Sequence, residues 1–270
     1  MFILCESCKC SVFLSNIKIL RMKISIPTSW EEMNEWQQEE VIHILQNYSE
    51  GDFEDSIIRI ISVLLMKSNN IIQYFRMRNI LRDIPLSAFE EHLRFIYEPP
   101  KLYQFPKISR LKKPADRIGD ISIRQFSVCE TLLYRWREAK GEKKHLLMRQ
   151  LVACLYRLGD NYNEQLLPDI ARKTDKIPFK KAQRIVFIFS CVCRYIADIY
   201  PSIFAKSDSK TPAPQKHTSF SKIITMMAAD ELRLLGNLKE CQNTLVYDFF
   251  NSFLESKRIH EQRAKALKQY

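Results

Sequence analysis

Apolar residues recur at helical rather than strand spacing along nearly the whole chain. After a short extended piece, Lys23 to Pro27, Ser29 and Glu32 stand three apart as in a capping box; this predicts a helix reaching Asn47 with Trp30, Met33, Val41, Ile44 and Leu45 inward. Asp55 to Lys67 is apolar nearly all round. Its β-branched residues leave a strand pair open, but its length and lack of alternation favour a helix. Asn70 to Leu81 continues helically, and Ser87 with Glu90 repeats the capping-box spacing before a helix to Tyr97 that Pro99 and Pro100 stop.

Residues 99–121 lose the period: four prolines and a run of Lys and Arg predict an extended connector. The helical signal resumes from Ser122 to Ala139, with Phe126, Cys129, Leu132, Leu133 and Trp136 on one face. Beyond Gly141 it continues from Glu142 to Leu158, with Leu146, Leu147, Leu151, Cys154, Leu155 and Leu158 inward and Gly159 placed as a C-terminal cap. These two segments predict an αα-hairpin. A short turn of helix near Pro168 to Arg172 precedes Pro178, which opens a long helix from Phe179 to Tyr200. Residues 201–219 are rich in Ser, Pro and Lys and read as a flexible linker. Two further helices follow, Phe220 to Leu235 and Thr244 to about Lys268.

The predicted fold class is all-α, a multi-helix bundle of about seven helices between Met22 and Tyr200 with a C-terminal helical hairpin after a flexible linker. By composition shifts the chain divides into an N-terminal extension (1–21), an acidic helical region (22–98), the Pro-rich basic connector (99–121), a basic helical region (122–200), the linker (201–219) and the hairpin with a polar tail (220–270). Residues 1–21 read as an upstream extension of the frame, with Met22 as the start. No segment has the roughly 20 clean apolar residues of a membrane span, since Arg194 and Asp198 interrupt the longest stretch.

Composition narrows the chemistry. Five glycines, all far apart, exclude both GxGxxG and GxxxxGK[ST] phosphate loops. Cys129, Cys154, Cys191, Cys193 and Cys241 fall within apolar helical patterns and read as core in a reducing, cytoplasmic compartment. The C-E-S-C-K-C run at Cys5, Cys8 and Cys10 has no second ligand pair for zinc and no preceding strand for a redox motif. His43, His92, His145, His217 and His260 show no metal-ligand spacing, no nucleophile motif is present, and the adjacent acidic pairs diverge on their helices. The expectation is a protein without catalytic residues, metal or cofactor. Charge is the outstanding feature: residues 22–100 carry 7 Lys and Arg against 13 Asp and Glu, whereas residues 101–199 carry 21 against 10. Three basic runs, 110–117, 135–144 and 180–184, offer a phosphate-binding surface with Tyr134 and Trp136 nearby; Arg110, Lys112, Lys113, Lys180, Lys181 and Arg184 are the candidate nucleic-acid contacts. A solvated basic face that keeps the chain in solution is the plain alternative.

The C-terminal order of an apolar helix bearing A-A-D-E-L-R-L-L-G, a link N-L-K-E, and then T-L-V-Y-D-F-F-N-S-F-L-E resembles the end of tail assembly chaperones of long-tailed phages and prophages. The matching positions are Ala229, Leu232, Leu235, Gly236, Leu245, Tyr247, Phe249 and Phe250, and Ile26 to Met33 also resembles the start of small phage proteins. The resemblance implies a non-enzymatic assembly or adaptor protein that takes a tape-measure or tail-tube-like protein as partner. Helix-in-groove recognition would then use Leu245, Val246, Phe249, Phe250 and Phe253. The competing expectation is that these phenylalanines pack within their own hairpin. A basic helical nucleic-acid-binding protein is the alternative function.

Overall fold

The computed structural model describes residues 26–47, 53–204 and 219–267. The fold is all-α, with eleven α-helices and three 3-10 turns among the described residues. The chain divides into two compact units, Met1–Lys101 and Leu102–Tyr270, so most of the Pro-rich connector and both C-terminal segments belong to the second. The Cys5, Cys8 and Cys10 run, His217 and most of the 201–219 segment lie outside the described residues.

The first unit holds α1 (Glu35–Gln46), α2 (Phe53–Leu65), α3 (Ile71–Asp83) and α4 (Glu90–Tyr97). The Ser29 amide-side contact forms as predicted, with the Glu32 N–H donating to Ser29 Oγ at 3.3 Å. It closes only a turn, however. Helix α1 starts five residues later at the N-cap Asn34, which makes a full capping box with Gln37. Glu32 is instead occupied by the Thr28 N–H and hydroxyl. Similarly, Ser87 lies in a 3-10 turn, Leu86–Phe89, and gives α4 no side-chain cap. Trp30, Met33, Val41 and Ile44 are buried, together with Ile42; Leu45 points outward. The buried Gln37 amide donates to the carbonyls of Leu64 at 3.2 Å and Met66 at 2.9 Å, so α1 satisfies the C-terminal end of α2. Trp30 packs edge-on against Phe95, centroids 6.0 Å apart.

The second unit is built on α5 (Ile123–Glu138), α6 (Gly141–Leu155), α7 (Leu167–Thr174) and α8 (Phe179–Ile199), closed by α9 (Phe220–Ala229), α10 (Leu238–Asn243) and α11 (Val246–Leu267). Ser122 caps α5 by accepting from the Gln125 N–H. Gly141 opens α6 at φ +57°, a left-handed backbone that a residue with a Cβ adopts at a cost. Helix α6 ends at Leu155 rather than near Gly159, because Arg157 leaves the helix to pair with Lys112 in an antiparallel bridge. Gln125, fully buried on α5, donates to the Cys154 and Leu155 carbonyls at 2.7 and 3.2 Å and takes the capping role expected of Gly159. Leu146 and Leu158, expected inward, are 59% and 37% exposed. Cys129, Cys154, Cys191 and Cys241 are buried, and burial pushes the Cys154 and Cys191 thiols up to about 11 and about 12.

Helix α9 stops at Ala229, six residues short of the expected Leu235. Its C-cap Asp230 accepts hydrogen bonds from the Ser256 hydroxyl and from His260 Nε2 at 2.9 Å, both on α11. The Ser256 hydrogen bond holds the Asp230 carboxyl below the usual range, opposed by partial burial and assisted by His260. A depressed carboxylate stabilises the fold above the ordinary aspartate range, and that stability is lost as pH falls through and below it. The Tm gap between the wild type and Asp230→Asn, followed by thermal melts at stepped pH, should therefore close on acidification. A gap that stays constant from neutral to acid pH contradicts this role.

Candidate functional site

The six candidate nucleic-acid residues do not form one surface. Lys112 bridges to Arg157 just past the C-terminal end of α6 and ion-pairs with Asp160 at 2.6 Å. Lys113 lies 3.8 Å from Asp116, and Arg110 is exposed in a left-handed turn at φ +60°. Lys180 and Lys181 occupy the first turn of α8, at the other end of α6. Two contacts fix that placement: Phe179 stacks on His145 with centroids 4.9 Å apart, and Arg149 donates to the Ile177 carbonyl at 2.9 Å. With fifteen residues in α6, the two clusters stand about 20 Å apart along its axis. Arg184 is 5% exposed and belongs to the core, one turn deeper along α8 where the helix is covered on this side.

What joins Lys180 and Lys181 is the third basic run, residues 135–144. The α5–α6 connection places Arg135, Arg137 and Lys140 beside Lys143 and Lys144, and the α7–α8 connection brings Lys173 and Lys176 to the same end of the unit. Segments 135–144 and 172–181 together hold ten Lys and Arg against three Asp and Glu. Arg135, Arg137, Lys140 and Lys143 are exposed, and none of them forms an ion pair among the described residues. Trp136 is half-buried within this cluster, with Lys144 Nζ 4.8 Å from its ring centroid. Tyr134 and Leu146, on the same two helices, are 37% and 59% exposed. Chemically this is a convex cationic end with an aromatic plate, able to neutralise several phosphates and to stack one base. Sequence spacing alone separates segments 135–144 and 172–181 by 27 residues; the Phe179–His145 stack is what unites them.

At the opposite end, Arg117 lies over two tyrosine rings, 5.2 Å from Tyr103 and 4.8 Å from Tyr195, with its carbonyl accepting from the Tyr247 hydroxyl at 2.7 Å. Both Arg117 and Ile118 have positive φ, which carries Ile118 fully into the core while the guanidinium folds back over the rings. This cluster ties α8 and α11 to the connector.

The five candidate partner contacts are also divided. Val246, Phe249 and Phe250 are at most 1% exposed and are core residues, so they present no surface to a partner. Phe250 meets Phe126, Tyr200, Phe204, Phe220 and Phe249 with centroids 5.2–6.0 Å apart. The Val246, Phe249 and Phe250 part of the α11 stripe is therefore consumed by the fold, and packs on α5 and the end of α8 as well as on α9 within its own hairpin. Leu245 is 41% exposed at the helix start, where its backbone bridges Ser122. Phe253 lines an open groove of about 630 Å³ between α9 and α11, with Met226, Met227, Ala229 and Ala264 as apolar walls and Asp230 and His260 within it. Among the described residues no three His, Cys, Asp or Glu side chains converge on a metal-sized site, and no helix is long and apolar enough to cross a membrane. No family model, curated protein or solved structure matches the chain.

Proposed function

We propose that this protein is a non-enzymatic nucleic-acid-binding protein that engages phosphates through the basic end of its second unit. The observation that carries the reading is the convergence of two cation-rich connections, α5–α6 and α7–α8, around the half-buried Trp136. Clustered, exposed Lys and Arg are what counterion release requires. Residues 102–270 carry 31 Lys and Arg against 17 Asp and Glu, which adds long-range attraction for a polyanion.

The test is fluorescence anisotropy with labelled duplex DNA, single-stranded DNA and RNA between about 50 and 300 mM salt. Wild-type protein should bind with a steep salt dependence. The combined change Arg135→Gln, Arg137→Gln, Lys143→Gln and Lys181→Gln should weaken binding on the order of a hundredfold at the lower salt and flatten the log–log slope by about three to four. Arg110→Gln with Lys112→Gln, at the other end, should leave binding nearly unchanged. Absence of binding at low salt, or equal loss from both sets, rejects the reading.

A protein-assembly role, as the tail-chaperone resemblance implies, is favoured by one observation: the α9–α11 groove, whose Met-lined walls and Phe253 suit an apolar helix. Its partner would be a long helical protein captured independently of salt. Met226→Asp, at a side chain 68% exposed, separates the two readings, since it should abolish helix capture and leave nucleic-acid binding intact.

A further inference from the structure

We propose that two copies of this chain associate reciprocally, the exposed face of α3 in each copy seating on the acidic surface of the first unit of the other. Helix α3 buries only Met77 and Ile80. Its first turns leave Ile71 66%, Ile72 70%, Tyr74 47% and Phe75 56% exposed. Four large apolar side chains in little more than one turn form a contiguous patch on the order of 300–400 Å², a size at which a monomer's largest apolar patch is often functional. Ile71, Phe75, Arg78 and Arg82 recur at i, i+4, i+7 and i+11 and so form one stripe, apolar at its start and cationic at its end.

Charge selects the occupant. Of the seven Lys and Arg between residues 22 and 100, three lie on α3, in a stretch that holds 13 Asp and Glu. Arg82 pairs with its own neighbour Asp83 at 3.0 Å, while Arg76 and Arg78 have no carboxylate within ion-pair distance among the described residues. Complementary acidic groups belong to the same unit at two helix starts: Glu54 and Asp55 are exposed at the start of α2 beside Ile58, and Glu90 and Glu91 are exposed at the start of α4 one turn from Leu86. Both surfaces mix exposed apolar groups with charge, and the charges are of opposite sign. Pairing α3 with α3 is the weaker arrangement, because a parallel pair opposes Arg78 and Arg82 to their own copies and an antiparallel pair gives neither arginine a carboxylate. Reciprocal seating places two equivalent contacts across one two-fold axis. That doubling brings a patch of this size toward the area a stable dimer needs, about 800 Å² per partner.

Sedimentation velocity of the full, nuclease-treated chain from about 1 to 50 µM is the test. The expected result is a dimer that dissociates on dilution and weakens with salt. Ile72→Asp and Phe75→Asp, both at exposed positions, should each raise the dissociation constant at least tenfold while leaving circular dichroism unchanged, and Tm unchanged at concentrations where the wild type is itself monomeric. Arg76→Glu with Arg78→Glu should also dissociate the dimer, and mixing that variant with Glu54→Lys, Asp55→Lys, Glu90→Lys and Glu91→Lys protein should restore a heterodimer. A monomer at every concentration overturns the proposal, as does a dimer indifferent to α3 substitutions. A monomer that co-sediments with phosphatidylserine-containing vesicles only when Phe75 is intact assigns the face to a membrane instead.

Discussion

Phe250→Ala is expected to destabilise the second unit by about 3–5 kcal/mol, enough to unfold a large fraction of the protein at physiological temperature. The side chain is 1% exposed and stands at the centre of a cluster of rings. Phe126 comes from α5, Tyr200 and Phe204 from the end of α8 and the residues after it, and Phe220 from α9. Removing the ring strips Phe126, Phe204 and Phe220 of an edge-to-face contact and Tyr200 of a tilted one, and leaves a cavity bounded by several separate segments, which cannot close by a shift of one side chain. Because α9 and α11 reach α5 largely through this cluster, the loss falls on the docking of the C-terminal helices. Chemical denaturation followed by far- and near-ultraviolet circular dichroism measures it, and Phe250→Leu, which keeps most of the volume, should recover more than half of the loss. A partner-binding role at Phe250 requires the opposite pattern, full stability with lost association. A change below about 1 kcal/mol would therefore return this residue to the surface and overturn the packing described here.

The same cluster explains which features were legible in the amino-acid sequence. The amphipathic stripe of α11 and the period of α5 are local signals, and they predicted the helices and the central part of their apolar faces, though Leu245 and Trp136 at the ends of those faces are partly exposed. What periodicity cannot specify is the neighbour that covers a stripe. The Phe249 and Phe250 face is equally compatible with a groove in another protein and with Phe126 more than a hundred residues upstream. Helix ends failed for a related reason. Gly159 is a sound C-terminal signal in isolation, yet α6 ends earlier because the Gln125 amide satisfies its last carbonyls and the Lys112 backbone pairs with Arg157 and redirects the chain, both distant in sequence. Asp230 acts likewise on α9, held by Ser256 and His260 from α11. The basic surface shows the limit of counting charge. Runs 110–117 and 180–184 look equivalent in the sequence, but the structure places them at opposite ends of α6, turns Arg184 inward and replaces it with the 135–144 segment.

Arg157 carries the second large effect, and it lies where that redirected chain leaves α6. Its side chain is 4% exposed, and its guanidinium donates to the carbonyls of Asp120 at 2.8 Å and Asp160 at 3.0 Å while pairing with the Asp120 carboxylate. Asp120 in turn accepts from the Ala115 N–H at 2.7 Å. One planar cation thus satisfies three acceptors, on two segments that the Lys112 backbone bridge and the Lys112–Asp160 ion pair also join. Arg157→Met keeps the length of the side chain but leaves Asp120 partly buried without its counter-charge and two carbonyls without a donor; the expected cost is about 3–5 kcal/mol. Arg157→Lys should recover little, because an ammonium cannot reach three acceptors held in the geometry of a fork. Asp120→Asn should cost less, since its amide oxygen still accepts from Ala115 and the guanidinium keeps both carbonyls. In a double-mutant cycle read by urea denaturation, Asp120→Asn with Arg157→Met should be less destabilising than the sum of the single changes by at least about 1 kcal/mol, because removing the acid relieves the buried charge that the first substitution exposed. Strict additivity would mean that the two side chains act independently, with the backbone bridge at Lys112 setting the end of α6 unaided.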